Sequence, residues 1–360
     1  MPRLPRKKLS RIQRMIRAVF RMTTYGSPLA VAAMIGCVPE MRPISISEDG
    51  RYVALPYSQR GQFQPGDDAD VFIVLDLKSG DARVVKHPTK GAFWLSNTGD
   101  VIVALKENTG TNDNSPSMMI ARGDSDVTVN HAACPALSSD GKRVAYVKLD
   151  SVDGESFDGP MFIEDLAAGK TIDLKTRGTF PDISPDGKQL LFASRNGDDW
   201  SLKAMPVTGG QAKQVATLDP ETAKLFVPAW FDNESVIYRA KTDTSGADGE
   251  LFLTTLDGKT TALTDNHLRE HLPSPASKGR IVYATTPAGK TGESPVTLHV
   301  AEMKNGKWQS RSLGIETMLY AAAGDQVVFV QQDGKVARIS IDEPTKVIDL
   351  TETIKKKLAD

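Results

Sequence analysis

Residues 180–195 read FPDISPDGKQLLFASR, and this stretch decides the fold. It predicts a short strand over Phe180–Ile183, a tight turn at Ser184-Pro185-Asp186-Gly187, and a longer strand over Gln189–Ser194. Proline presets φ for the second turn position, aspartate accepts local backbone bonds, and glycine tolerates a positive φ. Alternating, β-branched and aromatic residues on both sides make the unit a hairpin.

The unit recurs. ISISEDGRYVALPY begins at Ile44, AFWLSNTGDVIVAL at Ala92 and CPALSSDGKRVAYVKL at Cys134. Weaker copies are VPAWFDNESVIYRA from Val227, LPSPASKGRIVYAT from Leu272 and TMLYAAAGDQVVFV from Thr317. Their turn positions, Gly50, Gly99, Gly141, Gly187, Asn233, Gly279 and Gly324, are separated by 49, 42, 46, 46, 46 and 45 residues. A period in the forties filled by strands points to propeller blades. Second hairpins lie between the copies, for example Met161–Leu166 with Thr171–Leu174, and Leu251–Leu256 with Thr260–Leu263. The expected fold is therefore all-β, a seven-bladed β-propeller of four-stranded antiparallel blades over 44–350. Six blades follow if one weak copy, at Asn233 or Ala323, is not a blade.

Ser184-Pro185-Asp186-Gly187-Lys188, with fainter echoes at Asp49-Gly50 and Asp140-Gly141-Lys142, resembles the repeat of TolB-type, WD-repeat-like propellers. The same repeat occurs in the non-catalytic propeller of prolyl-oligopeptidase-like enzymes. The resemblance runs from Ile44 onward and implies fold rather than activity. TolB proteins usually place six blades behind a separate N-terminal domain, for which seven repeats leave no room.

Residues 1–36 are a different kind of sequence. They hold eight Lys/Arg and no acid, followed by the apolar run Pro28–Ile35 and then Gly36-Cys37. A basic segment, a short apolar segment and a small residue before the cut describe an export signal. Met34-Ile35-Gly36-Cys37 resembles a bacterial lipobox, which implies acylation of Cys37, a linker over 37–43 and a membrane anchor. The expected location is the periplasm or the membrane-anchored cell envelope. An alternative is a basic amphipathic helix over Leu9–Phe20. Removing residues 1–36 leaves 36 Lys/Arg against 45 Asp/Glu, a formal net of −9. That balance argues against nucleic acid as a partner, since neutralising phosphates requires a basic face. Cys134 would then be the one thiol, and it reads as a buried structural residue.

Antiparallel blades sort their connections onto two ends. Hairpin turns are short at one end. The other end gathers the links between blades and the long connections Ser58–Ala69, Lys106–Ser115, Asp150–Gly159, Lys241–Gly249 and Thr286–Ser294. Loops on a rigid scaffold are where binding usually resides. The candidate binding face therefore comprises His87, His131, His267, His271, Asp67, Asp68, Asp153, Asp158, Asp243 and Asp248. His267-Leu-Arg-Glu270-His271 formally matches H-x-x-E-H, but that zinc chemistry needs a long helix. An all-β repeat does not offer one. No G-x-S-x-G elbow, phosphate-binding glycine loop or calcium loop occurs. Neither a metal nor another cofactor is expected. Trp94, Trp200, Trp230 and Trp308 read as packing between blades, and 351–360 reads as a solvated tail. The functional expectation is a non-enzymatic, TolB-like scaffold outside the cytoplasm that binds a protein or envelope component. The alternative is a propeller lyase or hydrolase with a His/acid or metal site at the channel mouth.

Overall fold

The computed structural model describes residues 44–57, 63, 71–85, 93–107, 116–123, 125–149, 158–219, 228–240, 249–266, 268–286, 295–317 and 319–359. Strands follow the chain in hairpins. The first sheet is β1 (Ser45–Ile46), β2 (Tyr52–Tyr57), β3 (Val71–Asp76) and β4 (Ala82–Val85). The second is β5 (Phe93–Leu95), β6 (Val101–Glu107), β7 (Pro116–Arg122) and β8 (Ser125–Asn130). Next come β9 (Ala132–Leu137), β10 (Arg143–Lys148), β11 (Gly159–Asp165), β12 (Lys170–Ile183), β13 (Gln189–Asn196), β14 (Asp199–Pro206) and β15 (Lys213–Leu218). The remaining sheets are β16 (Ala229–Trp230), β17 (Ser235–Ala240), β18 (Glu250–Thr255) and β19 (Thr260–Ala262), then β20 (Arg269–Ala276), β21 (Arg280–Thr286), β22 (Val296–Lys304) and β23 (Lys307–Thr317). The last holds β24 (Tyr320–Ala323), β25 (Gln326–Val330), β26 (Val336–Ser340) and β27 (Ile348–Asp349). All pairings between these strands are antiparallel, and the inner strands β1, β5, β9, β12, β16, β20 and β24 neighbour one another in turn, with β24 returning to β1.

The expectation of seven, or six, separate blades is not met. Among the described residues, five sheets stand alone as four-stranded blades and β9–β15 form one seven-stranded sheet. The cause is β12, which is one unbroken strand of 14 residues although Lys175 and Phe180 within it have positive φ. Its first part pairs with β11 as far as Gly178↔Gly159, and its second part pairs with β13 from Thr179↔Ala193. The outer strand of one repeat thus becomes the inner strand of the next with no break between them, the chain changing direction around Gly178–Phe180, where Phe180 has φ 50°.

The strong repeats share a chemistry that explains their motif. Ser184 Oγ donates to Asp186 Oδ1 at 2.8 Å and accepts from Gln189 N at 2.9 Å. Gly187 N donates to Ser184 O at 2.7 Å, and Gly187 has φ 71°. Ser47–Asp49 and Ser138–Asp140 repeat the hydroxyl–carboxylate bond at 2.6 and 2.7 Å. One buried serine thereby fastens turn and strand together, and glycine supplies the left-handed residue the turn requires.

Apolar faces of adjacent sheets interlock around the ring. Between the β16–β19 and β20–β23 blades, Ile237, Leu251, Ile281 and Tyr283 share one core, each no more than 1% exposed. Trp200 and Trp230 are buried in the same core, with Trp308 packed against it. Full burial of such side chains contributes about 1.5–3 kcal/mol each. First and last blades join the same way, with Leu55 and Ile73 packing on Val328 and Val336. Residues 351–359 are not a solvated tail. They form helix α1 (Thr351–Ala359), which buries Ile354 completely in that seam and lies beside β4. Its leucine and isoleucine contacts, rather than its lysines, decide its position.

Candidate functional site

The two ends of the ring differ. At the hairpin end the inner turns are tied to one another. Asp49 N donates to Asn97 Oδ1 (3.0 Å), Asn97 N to Ser139 O (2.7 Å), and Ser139 Oγ to Pro185 O (2.9 Å). Asp186 N then donates to Asn233 Oδ1 (2.9 Å), the Phe231 ring lies against Gly279, and Ser277 N donates to Gly324 O (2.6 Å). Gly324 meets Gly50 to complete the circle. The polar groups of this end are largely committed to holding it together.

The opposite end receives the links between blades. Cys37, His87, His267, Asp67, Asp68, Asp153, Asp243 and Asp248 lie outside the described residues. Three expected face residues are described. His131 occupies the turn between β8 and β9 with φ 59°, and its carbonyl accepts Leu149 N at 2.8 Å. Asp158 is half-buried 3.8 Å from Arg177 of β12, and its burial outweighs Arg177 and Arg195 to raise the carboxyl above its usual range. His271 is on strand β20 rather than in a link. Its Nε2 bonds to Thr286 Oγ1 at 3.0 Å, and burial, with Arg269 and Arg239 nearby, pushes the imidazole down to about 3. His271 is therefore neutral. His131, in the turn before β9, and His271, on β20, are three inner strands apart around the ring and are not brought together. Glu270 and His271 lie on a strand, which removes the helix that H-x-x-E-H would need. No group of three or more His, Cys, Asp or Glu among the described residues could hold a metal ion.

Cys134 is only partly buried by surface, although its thiol is enclosed enough for burial to push it up to about 11. It is inert as a thiolate at neutral pH. It also marks an irregularity shared by three inner strands. Cys134, Phe180 and Leu272, with φ 48°, 50° and 46°, each precede a proline where the inner strand bulges against its neighbour.

A polar cluster that the sequence reading did not assemble lies between the β16–β19 and β20–β23 blades, at the link-bearing end. Glu250 begins β18, Glu270 is the second residue of β20, and Arg239 is next to last in β17; they are 3%, 0% and 6% exposed. Arg239 Nη1 donates to Glu270 O at 3.0 Å, and Glu250 Oε1 accepts Asn266 N at 3.3 Å. Neither carboxyl oxygen of Glu270 has a hydrogen-bond partner of ordinary geometry. Burial first, and the Glu250 charge second, push Glu270 up to about 8, although Thr264 and Asn266 nearby favour the ionised form. Tyr283 and His299 stack at 5.4 Å between centroids on the same side, and His299 Nε2 bonds to Thr285 Oγ1 at 3.0 Å. The signal in the sequence was Arg239 alone inside the apolar strand VIYRA.

A closed cycle of inner strands with hairpins radiating outward has one architectural meaning. The chain is a β-propeller. Solved structures with the same fold agree. This propeller is similar to the acylaminoacyl peptidase of Pyrococcus horikoshii (TM-score 0.55, 11% identity, 86% of this chain and 52% of that one). It is similar also to a puromycin-hydrolyzing peptidase of Mycobacterium tuberculosis (TM-score 0.52, 16% identity, 90% and 54%). TolB from Acinetobacter baumannii gives a TM-score of 0.47 at 15% identity over 84% and 76%. The propeller spans about half the length of the two peptidases. At these identities the likeness is one of fold. No protein-family model matches the chain, and no curated protein matches its sequence. Among the described residues no helix is long and apolar enough to cross a membrane.

Proposed function

We propose that the chain is an exported, non-enzymatic propeller scaffold that binds a protein or cell-envelope component through its link-bearing end. One observation carries the reading: the hairpin end is occupied by its own ring of turn-to-turn contacts, five of them hydrogen bonds and two of them close packing at Gly279 and at Gly50–Gly324. The connections long enough to vary and reach a partner belong to the other end. Counting β12 in both repeats it serves, the seven inner strands among the described residues support a reading of seven repeats, two of them fused. Residues 1–36 direct export, and Cys37, once acylated, tethers the ring to a membrane; Cys37→Ala releases the chain from the membrane fraction if so.

The test compares two exposed charge reversals in a chain starting at Val38, used to capture partners from envelope extract. Arg177→Glu lies at the link-bearing end and Lys188→Glu at the hairpin end. Loss of a captured species with R177E and not with K188E supports the reading, and the reverse pattern overturns it.

The fold likeness to peptidases about twice as long favours a second reading, in which the propeller serves a hydrolase. A captured partner with peptidase activity, or hydrolysis by the chain with a His/acid or metal set at the channel mouth, would support it.

A further inference from the structure

Each repeat ends outward in an edge strand, in which every second residue turns its N–H and C=O away from the sheet. Such an edge pairs with any strand that reaches it unless a charge, a bulge, a cover or a short length blunts it. Among the described residues six of the seven outer strands are blunted. Helix α1 lies beside β4. The first part of β12 carries Lys170, Lys175 and Arg177, and Lys175 has φ 54°. Strand β15 begins at Lys213, and its register on β14 shifts between Leu202 and Lys203. Strand β23 carries Lys307 and Arg311, with Gly314 at φ 71° and a register shift against β22. Strands β19 and β27 are only three and two residues long.

The seventh outer strand, β8, has none of these devices. Its sequence SDVTVN holds no lysine, arginine or proline. It pairs with β7 without a shift from Ser125↔Arg122 to Asn130↔Ser117, so it is regular over all six residues. Among the described residues no strand pairs with its outer side. Val127 is 57% exposed, more than any other large apolar side chain among the described residues.

The strand is also complementary to itself. A two-fold axis normal to the sheet, which makes an isologous dimer, sets two antiparallel copies of β8 side by side and pairs residues of like parity. Centred on Thr128, it opposes Val127 to Val129 of the second copy on one face and Asp126 to Asn130 of the second copy on the other. Each pairing occurs twice, and Thr128 meets itself. Valine therefore meets valine, and acid meets amide. The two Asp126 carboxylates stand about 14 Å apart at about 3.4 Å per residue, beyond the screening length of about 10 Å in 0.1 M salt. Centring the axis on Val127 instead would bring them to about half that distance.

We propose that β8 is a self-association edge, at which two copies of this chain pair antiparallel about Thr128 and join two four-stranded blades into one eight-stranded sheet. A ladder of six residues buries less than the roughly 1,200–2,000 Å² of a stable interface, so the dimer forms and dissociates with concentration. Antiparallel pairing turns the link-bearing end of one ring opposite to that of the other, and the dimer offers two binding ends facing opposite ways. Only this consequence depends on the link-bearing end being the binding end; the pairing does not.

The experiment is sedimentation velocity of the intact chain, carrying Cys37→Ser, across a concentration series. Monomer is expected to convert to dimer as concentration rises. Val127→Lys places on β8 the charge that other edges carry, and it is expected to keep the chain monomeric throughout with unchanged melting. Opposed residues of an antiparallel pair lie within disulfide reach, which reads the register. Oxidised Thr128→Cys is expected to give a disulfide dimer, whereas Asp126→Cys and Asn130→Cys give none alone and one when mixed. The Cys134 thiol is enclosed and does not compete. A monomer at every concentration, a dimer undisturbed by V127K, or a disulfide dimer from D126C alone would each overturn the proposal.

Discussion

Gly50 and Gly324 meet back to back where the ring closes. A Cβ on Gly50 would stand 2.5 Å from Ala323 O, and one on Gly324 would stand 2.6 Å from Asp49 O. Among the described residues each sheet is built from consecutive strands, and no strand from one end of the chain completes the sheet of the other. Closure rests on side-chain packing, helix α1 and this glycine contact.

Gly324→Ala should therefore cost more than its backbone conformation alone demands. A left-handed φ costs a non-glycine residue about 1–2 kcal/mol, and overpacking against backbone adds about 1–3 kcal/mol. Gly258 also has a positive φ, 96°, but nothing stands within 4 Å of its would-be Cβ. The difference between the two alanine variants in urea unfolding isolates the closure contact, and equal losses would dismiss it.

Ser184→Ala removes a hydroxyl that is 1% exposed and serves Asp186 and Gln189 N at once. A buried donor left without its acceptor costs about 1–3 kcal/mol. The loss should appear as a lower urea midpoint with an unchanged slope, and hydrogen exchange should quicken first at Gln189.

Ile354→Ala tests the terminal helix as a clasp. A fully buried isoleucine truncated to alanine costs about 2–5 kcal/mol, and Ile354 is 0% exposed between the first and last blades. Exchange protection should fall in β4 and β26 more than in β13, whereas an unpacked tail would leave all three unchanged.

Asp76 supplies the acid limb of stability. Arg51 Nη2 lies 2.7 Å from Asp76 Oδ2, and this bond, with backbone donors from Lys78 and Ser79, holds the carboxyl down at about 2. A depressed carboxyl contributes stability above its unfolded pKa and loses it as pH falls toward the folded one. The native chain should therefore lose melting temperature from about pH 4 downward more steeply than Asp76→Asn. Identical acid limbs would show the pair idle.

What the sequence made legible was what short-range chemistry controls. Ser184, Asp186 and Gly187 act within five residues, so the turn could be read directly. The fused sheet could not, because Gly178-Thr179 looks like a break, and only pairing with β11 on one side and β13 on the other keeps it extended. Helix α1 was obscured by Lys355–Lys357, although Leu350, Ile354 and Leu358 recur at helical spacing. The three X-Pro bulges were visible as Cys134-Pro135, Phe180-Pro181 and Leu272-Pro273, but their positive φ comes from register with the neighbouring strand. Glu270 read as part of a chance motif, and nothing in its neighbours singled out Glu250. Their burial depends on which blade covers them, a long-range fact absent from either segment.

The claim that the link-bearing end is the binding end is tested most directly by photo-crosslinking in the intact cell. A crosslinking amino acid would replace, one at a time, His131 and Arg177 at that end and Lys142 and Lys188 at the hairpin end. The account predicts adducts of a common partner from His131 and Arg177 and none from Lys142 or Lys188. The same adduct formed from Lys142 and Lys188 alone would contradict it.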